Sequence, residues 1–310
     1  MKVLVTGATG FVGSCLARRL IHHGYDVHVF VRKESDRWRI RDLHGRMHEH
    51  DVNLRDAGAV KKAVSAIAPR IICHLATYGG FASQRESADI FEVNFLGTVN
   101  LLRACEQTGF DLFINTGSSS EYGIKSEPMR EDDLLEPIGD YGVSKAAATL
   151  FCQSEFREKN LPVLTLRLFS PFGPWDDHKR LIPSVIKSML RGEAPRLSNP
   201  ESVRDYIFIE DVIDCYMELI QKPSCPAPIF NIGSGHQYTI CDIVTRISNI
   251  TNAAAAPLWG TVSCRGNESP CWVSDRDKAA HLLHWSPKTS LQAGLEQTIV
   301  WLRKNLSLYS

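Results

Sequence analysis

The sequence predicts an α/β protein centred on a doubly wound parallel β-sheet, and two observations support this fold class. Apolar runs of strand length alternate with segments of helical period over residues 1–168. This alternation is typical of a parallel sheet that is covered by helices on both faces. A glycine-rich segment joins the first apolar run to the first helical segment, at the position where such folds make a tight turn.

The elements of this region are assigned in chain order from the apolar pattern. The first helix should end just before Gly24, because a glycine beyond a helix terminus adopts positive φ at little cost. The remaining boundaries follow from the changes between strand-like and helical spacing. We expect strands at residues 2–6, 26–31, 47–50, 70–75, 111–116 and 163–168, and helices at residues 11–23, 55–66, 90–107 and 141–159.

After residue 168 the pattern changes, because prolines interrupt it and the elements become shorter and mixed. We interpret residues 1–168 as a dinucleotide-binding domain, to which segments near residues 205–235 return. Residues 169–204 and 236–310 should form a smaller mixed α/β lobe that holds the substrate. In the returning part, strands are expected to rejoin the main sheet at residues 206–209 and 229–232.

The composition of the chain excludes several classes of partner. The 310 residues carry 35 basic and 35 acidic side chains, so nothing in the charge balance indicates binding to nucleic acid or to a membrane surface. We expect no signal peptide, since glycines interrupt the apolar start after a few residues. We expect no membrane span, since no apolar run approaches about 20 residues. Nine cysteines without a CxxC pair fit reduced thiols and a cytoplasmic location. We expect no metal site among His44, His48 and His50, because they lie in a charged stretch.

The glycine-rich segment predicts a dinucleotide site, and each glycine has a separate task. Gly7 permits the tight turn, Gly10 lets the backbone approach a pyrophosphate, and Gly13 lets the helix pack closely on the strand. Phe11 and Val12 open the helix, whose free N–H groups and dipole favour an anion. The predicted fold is therefore a Rossmann-type doubly wound parallel sheet with a smaller mixed α/β substrate lobe.

The end of the second strand indicates which cofactor binds. NAD sites place a carboxylate here for the ribose hydroxyls, whereas this chain has Arg32 and Lys33 and no acid before Glu34. The two basic side chains could hold a 2′-phosphate, so we favour NADP, with NAD as the alternative. Asp51 and Val52, after the third strand, are expected to contact the adenine ring.

A serine, a tyrosine and a lysine are predicted to carry the chemistry. Tyr141 and Lys145 open a helix, and their spacing of four places both on one face of it. The charge of Lys145 would stabilise the phenolate form of Tyr141, which then exchanges a proton with a substrate oxygen. Ser118 ends the fifth strand and would hydrogen-bond the same oxygen. This pattern indicates nicotinamide-dependent redox chemistry on an alcohol or ketone.

With these motifs together, the chain resembles the extended short-chain dehydrogenases/reductases that act on sugar nucleotides, the NAD-dependent epimerase/dehydratase group. The resemblance runs nearly from end to end and implies a nucleotide-diphosphate sugar as substrate. It also implies that Leu75 and Ala76 contact the cofactor and that Asn94 supports the catalytic residues. The motifs that carry it are residues 7–13, 74–76, 94 with 97–100, 118–123, 141–145, 204–206, 211–212 and 231–235.

The reaction is predicted from the residues that follow Ser118. The family's 4,6-dehydratases have an acid and a base at the next two positions, which here are Ser119 and Ser120. Glu121 comes one residue later and would need a bulge to reach the site. Together with Arg32, this favours an NADP-dependent reductase of a nucleotide-linked 4-keto-6-deoxy sugar. An epimerase that recycles its hydride is the alternative, and a dehydratase or a non-catalytic dinucleotide sensor is disfavoured.

The resemblance also predicts substrate contacts and an oligomeric state. Arg204 and Arg265 would bind the diphosphate, a task that suits the guanidinium group. Ser119, Ser120 and Ser170 would contact the sugar or the pyrophosphate, with Ser170 replacing an asparagine that is common in the family. Helices 90–107 and 141–159 carry apolar residues on more than one face, so we expect a homodimer through a four-helix contact. The apolar residues concerned are Phe91, Phe95, Leu102, Ala147, Leu150 and Phe151.

Overall fold

The computed structural model describes residues 1–80, 84–262 and 269–309 and contains one large and one small β-sheet. Seven strands form the large sheet in the order β3-β2-β1-β4-β5-β6-β9, each parallel to its neighbours. The chain builds outward from β1 to one edge and then to the other, so the doubly wound prediction is confirmed. The strands are β1 Lys2–Thr6, β2 Asp26–Val31, β3 His48–Asp51, β4 Ile71–His74, β5 Leu112–Ser118, β6 Val163–Leu168, β7 Ser170–Phe172, β8 Val203–Phe208, β9 Ile229–Ile232 and β10 Gln237–Thr239.

The helices connect these strands and cover the large sheet. None of the helices in the described part of the chain has the length and apolar character that crossing a bilayer requires. A π-helical turn, Glu92–Leu96, interrupts the predicted long helix and separates α3 from α4. The helices are α1 Phe11–His22, α2 Ala57–Ile67, α3 Ser87–Phe91, α4 Gly97–Thr108, α5 Gly139–Lys159, α6 Leu181–Leu190, α7 Ile209–Gln221, α8 Ile240–Thr251, α9 Asp277–Leu282 and α10 Leu291–Lys304.

Two apolar layers hold the helices to the large sheet. On one face, Leu16 of α1 and Val212 of α7 pack with the side chains of β1, β2 and β4. On the other face, Val64 of α2, Leu101 of α4 and Cys152 of α5 form a second buried cluster. Both faces of the sheet are therefore covered, as the continuous apolar character of its strands predicts.

The predicted boundaries differ from the structure where capping chemistry decides them. The helix expected from residue 55 begins at Ala57, because the Asp56 carboxylate accepts a hydrogen bond from the Ala59 N–H and caps it. The chain leaves α1 through Gly24 at φ +75°, and this confirms the role predicted for that glycine.

The prediction that residues 206–209 rejoin the large sheet is wrong. β8 lies in the small sheet, antiparallel to β10 and parallel to β7, with Ser170 opposite Tyr206. The place beside β6 is taken by β9, whose Ile232 pairs with Leu168. The strand predicted at residues 229–232 is therefore confirmed, and the assignment of whole segments to two lobes stays an interpretation of this arrangement.

One buried carboxylate organises the small lobe. Asp205 on β8 accepts hydrogen bonds from the N–H and hydroxyl of Ser234, from the Gly235 N–H, and from the N–H and hydroxyl of Ser274. Five donors compensate its burial, which would otherwise be costly. The loop after β9 and the segment before α9 are thereby attached to β8, which carries Arg204.

Candidate active site

The glycine-rich turn leaves β1 at Thr6 and enters α1 at Phe11. Gly7 has φ +72°, and a Cβ there would lie 2.6 Å from the Ala76 nitrogen. A Cβ on Gly13 would lie 2.2 Å from the Gly7 carbonyl oxygen. Neither position accepts a side chain, so the turn brings the N-terminus of α1 directly over the end of β1, with the first-turn N–H groups of α1 unpaired within the helix.

A cleft of about 170 Å³ opens beside this turn, at the carboxyl ends of the central strands. Six of the residues predicted to bind the cofactor line it, namely Gly7, Gly10, Arg32, Val52, Leu75 and Ala76. The sequence did not indicate the other lining residues, although several directly follow a predicted one. Those residues are Thr6, Thr9, Phe30, Val31, Ser35, Asn53, Leu54, Thr77, Tyr78 and Val93.

The structure separates the two basic residues at the end of β2. Arg32 lines the cleft, and its Nε lies 3.3 Å from the Glu34 carboxylate. The Lys33 side chain is 85% exposed, and its Nζ lies 3.6 Å from the Asp51 carboxylate. Neither Lys33 nor Asp51 is among the residues that line the cleft, and the Asp51 side chain is itself 50% exposed. The prediction that both basic residues serve the cofactor therefore keeps support only for Arg32.

The predicted catalytic residues come from three elements. Ser118 ends β5, Tyr141 and Lys145 lie on α5, which packs against β5 and β6, and Asn94 lies in the π-helical turn. Lys145 is buried, and its Nζ donates to the Thr116 carbonyl. Tyr141 is half-buried, and its hydroxyl forms no hydrogen bond with another described residue. Gly142 lets α5 approach the serine turn, because a Cβ there would lie 2.8 Å from the Ser120 carbonyl oxygen. Tyr141, the residue before Gly142, thus begins α5 where that helix approaches the serine turn.

The Ser118 hydroxyl has a fixed orientation. It accepts a hydrogen bond from the Ser120 N–H at 3.1 Å, and Ser118 starts a single 3₁₀ turn, Ser119–Glu121. A hydroxyl that accepts this bond still has its proton to donate. Ser118 can therefore donate to a substrate oxygen, as the sequence predicts.

Asn94 lies in the π-helical turn and acts on the site through its neighbours. Its Oδ1 accepts from the Tyr78 N–H at 2.8 Å and from the Thr77 hydroxyl at 3.2 Å. Its Nδ2 donates to the Tyr78 carbonyl at 2.8 Å and to the Ser144 hydroxyl at 2.9 Å. All four hydrogen-bonding positions of the amide are used, so Asn94 ties the wall of the cleft to α5 beside Lys145 and is a positioning residue.

A buried histidine links β1, β4 and α4 beneath the cleft. His74 Nδ1 lies 2.7 Å from the Thr6 hydroxyl, and Nε2 lies 2.9 Å from the Thr98 hydroxyl, which donates to the Asn94 carbonyl. Thr98 must then accept a proton from Nε2, which assigns this tautomer. Burial and, secondarily, the charge of Lys145 lower the pKa of His74 to about 3. The ring stays neutral and structural at physiological pH.

Two of the predicted substrate residues, Ser119 and Arg204, contact a tryptophan that the sequence did not indicate. Trp272 donates from its indole nitrogen to the Ser119 hydroxyl at 3.1 Å, and the Arg204 guanidinium lies 4.8 Å from its ring centre. This contact spans 153 residues of chain, so no local signal could reveal it. Ser120 is half-buried in the serine turn, and Ser170 begins β7. Arg265 lies outside the described residues.

Comparison with known proteins decides the family. The model of the NAD dependent epimerase/dehydratase family matches residues 3–233. The chain belongs to this family. It is 26% identical to dTDP-glucose 4,6-dehydratase of Haemophilus influenzae, over 99% of each chain. The expectation of an oxidoreductase-type enzyme of the extended short-chain dehydrogenase/reductase group is confirmed.

Solved structures agree with this assignment. UDP-glucose 4-epimerase of Thermotoga maritima with UDP-glucose is 28% identical, with a TM-score of 0.91 over 99% of this chain and 100% of that one. UDP-glucuronic acid 4-epimerase of Bacillus cereus, in complex with UDP-glucuronic acid and NAD, is 26% identical, with a TM-score of 0.87 over 98% and 100%. These relatives therefore include enzymes named for epimerisation and for dehydration.

Glu121 is the remaining candidate for the acid that a dehydratase of this family needs. Its carboxylate is fully buried below the serine turn, where it accepts from the Ser118 N–H at 2.8 Å and from the Arg167 Nε at 2.7 Å. The bulge that could have moved Glu121 into the site is absent from this described segment, because the chain turns into the 3₁₀ helix instead. Glu121 is therefore a structural residue.

We predict that Gly13→Ala weakens dinucleotide binding by at least about tenfold, because the added methyl group must displace the Gly7 carbonyl and with it the turn. Titration of the purified protein with NADPH and with NADH measures the effect, and circular dichroism checks that the variant is folded. Gly58→Ala on α2 is the matched control, since its Cβ would lie 3.4 Å from the nearest atom. Unchanged cofactor affinity in Gly13→Ala would refute this role of the turn.

Proposed function

We propose that this protein is an NADP-dependent reductase of a nucleotide-linked 4-keto-6-deoxy sugar. The observation that carries the proposal is the charge of the cofactor cleft. Arg32 is the only charged residue among the described residues that line it, and no acid is among them. An acid would accept the ribose hydroxyls of NAD, whereas a lone arginine suits a 2′-phosphate.

The residues of the cleft fit a dinucleotide along its length. The Gly7–Gly10 backbone and the N-terminus of α1 suit the pyrophosphate, and Val52 with Asn53 suits the adenine end. Ser35 lines the cleft beside Arg32, and its hydroxyl accepts from the Arg32 N–H at 3.3 Å. A second polar group is therefore present where a 2′-phosphate would lie.

The catalytic residues support reduction of a ketone to an alcohol. When bound, NADPH would be the source of the hydride for this reduction. Tyr141 gives its phenolic proton to the carbonyl oxygen, and Ser118 donates a hydrogen bond to that oxygen and fixes its position. Lys145 stabilises the resulting phenolate by its charge. The Lys145–Thr116 and Asn94–Ser144 hydrogen bonds keep these groups in place.

Dehydration receives no comparable support. Ser119 and Ser120 cannot act as acid and base at neutral pH, and the Glu121 carboxylate is paired with Arg167 below the site.

The proposed substrate would lie against Trp272 and Ser119, with Ser170 close to the sugar. Arg204 and, from the resemblance, Arg265 would bind its diphosphate. A nucleotide-diphosphate sugar is therefore the proposed partner.

An epimerase that recycles its hydride is the second candidate. It would use the same Ser118, Tyr141 and Lys145, and the structural neighbours support it, since two of them are UDP-sugar 4-epimerases. The neighbour from Bacillus cereus is in complex with NAD. If this protein also used NAD, Arg32 would face a ribose that carries no 2′-phosphate. The cofactor preference thus separates the two candidates.

The deciding experiment mixes the protein with NADPH and a panel of nucleotide-linked 4-keto-6-deoxy sugars and follows NADPH absorbance together with the sugar products. We expect stoichiometric loss of NADPH and a new hydroxyl on the sugar. In parallel, UDP-glucose and UDP-glucuronic acid are incubated with the protein and NAD. A changed sugar without net cofactor consumption would show that the protein is an epimerase and not a reductase.

The variant Tyr141→Phe should bind the cofactor normally and lose at least about 100-fold in kcat, because it lacks the phenolic proton.

A second prediction tests the cofactor assignment directly. Arg32→Ala should weaken NADPH binding by about 10- to 100-fold, which corresponds to the loss of a charge-assisted hydrogen bond, and should leave NADH binding nearly unchanged. Lys33→Ala removes a neighbouring positive charge that does not line the cleft, so it should change neither affinity. Equal effects of the two substitutions, or tighter binding of NADH than of NADPH by the wild type, would count against an NADP enzyme.

A homodimer through α4 and α5 remains part of the proposal. Leu96, at the end of the π-helical turn before α4, and Val143 and Leu150 on α5 leave apolar area exposed. Phe95 of the same turn contacts Phe151 of α5. Leu102, which the sequence placed with this surface, is fully buried in the core instead.

Because all eight described cysteines are free thiols, a cytoplasmic location also remains our proposal.

The dimer surface can be tested with one substitution. Leu150 is 53% exposed, and Leu150→Glu should convert a dimer into a monomer, as measured by sedimentation velocity. Val300 on α10 is 51% exposed, so Val300→Glu is the matched control and should leave the dimer intact. A wild-type protein that is already monomeric at assay concentration would exclude this interface.

A further inference from the structure

A cluster of three histidines and an aspartate lies at the edge of the large sheet, outside the proposed active site. Asp26 and His28 alternate along β2, and His48 and His50 alternate along β3. In the parallel register His28 is opposite His48, so all four side chains are on one face of the sheet. From the sequence alone we expected no metal site among His44, His48 and His50. The pairing of β2 with β3 places Asp26 and His28 beside two of these histidines, His48 and His50.

The distances in this cluster fit a transition-metal site. Asp26 Oδ1 lies 3.4 Å from His28 Nε2 and 3.2 Å from His48 Nε2. All three donor atoms lie within 4.8 Å of one another. Two ligands at 2.0–2.2 Å from a tetrahedral Zn²⁺ are about 3.3–3.5 Å apart. The aspartate is thus already at the separation from each imidazole that a shared ion would require.

His28 provides an independent indication of a ligand. It is only 8% exposed, and its Nε2 is buried without a hydrogen-bond partner, although it faces Asp26 and His48. A buried polar atom without a partner is costly and uncommon. An unprotonated Nε2 in this position presents its lone pair to Asp26 and His48 and is able to ligate a cation.

His50 supplies the support that metal-binding histidines normally have. His28 Nδ1 lies 3.0 Å from His50 Nε2, so a proton on His28 Nδ1 would be donated to His50. With the proton on Nδ1, His28 Nε2 carries its lone pair toward the cluster, and His50 holds the ring in that orientation. The nearest lysine on β1, Lys2, is opposite Asp26 but donates its ammonium group to the Ile67 carbonyl.

We propose that Asp26, His28 and His48 bind one divalent transition-metal ion of the Zn²⁺ type, with water in the remaining position. Imidazole and carboxylate ligands in a tetrahedral arrangement suit this class of ion. The site joins β3, an edge strand of four residues, to β2. It lies at the amino ends of these strands, whereas the cofactor cleft lies at their carboxyl ends. The ion would therefore stabilise the sheet edge and take no part in hydride transfer.

The test is to measure Zn²⁺ binding to the full chain after treatment with a chelator and in the presence of a reductant. We expect about one equivalent to bind, and the midpoint of thermal unfolding to rise by about 5 °C at a 100-fold excess over Kd. Co²⁺ should give the visible spectrum of a tetrahedral site without a thiolate charge-transfer band. Such a band would mean that the cysteines bind the ion and would overturn the proposal.

Variants locate the site. His48→Ala changes a residue whose side chain is 65% exposed, so it should fold normally and weaken Zn²⁺ binding by at least about tenfold. Asp26→Asn should do the same. His44→Ala is the matched control, because His44 is exposed and lies outside the cluster. Unchanged binding in His48→Ala, or equal losses in His48→Ala and His44→Ala, would refute the site. Cofactor affinity should be unchanged throughout, which separates this test from that of the proposed function.

Discussion

A buried ion pair between Glu121 and Arg167 fixes the serine turn at the carboxyl end of β5 to the neighbouring strand β6. Removing both charges from water costs several kcal/mol per ion unless each is fully partnered. The Glu121 carboxylate meets this condition through Arg167 and the Ser118 N–H, and the guanidinium also donates to the Tyr122 hydroxyl. Gly117 leaves the necessary space, since a Cβ there would lie 2.6 Å from the carboxylate. The position of the Ser118 hydroxyl therefore depends on this pair.

The same network extends from the large sheet to the segment that precedes α9. The Tyr122 hydroxyl donates to Asn231 Oδ1 on β9, and the Asn231 amide donates to the Met129 carbonyl at 2.8 Å. The segment that leads to α9 is bonded to Met129 in turn, through the Asp275 N–H. This segment also carries Trp272. Ser118 and Trp272 are thus positioned by one continuous set of hydrogen bonds.

The sequence predicts those parts of the molecule whose chemistry is local. Gly7, Gly13 and the Tyr141–Lys145 pair depend on a turn or on one helix face, and they lie where the pattern places them. The strand at residues 206–209 was assigned to the wrong sheet, because apolar character shows that a strand is buried but not which neighbour pairs with it. Trp272 and the pairing of His28 with His48 arise only from contacts between distant segments. No spacing along the chain reveals such contacts.

The π-helical turn at residues 92–96 has a consequence for how the helix is oriented on either side of it. Each residue of an α-helix advances the direction of the side chains by about 100°, so one inserted residue changes the rotational phase of everything beyond it. With the insertion, Leu101 of α4 faces the sheet while Ser87 of α3 bonds to Asp140, the residue before Tyr141. Without the insertion, the side chains of α3 and α4 would point in other directions relative to one another. The irregular turn therefore sets which side chains of α4 enter the core and which side chains of α3 reach the segment before Tyr141.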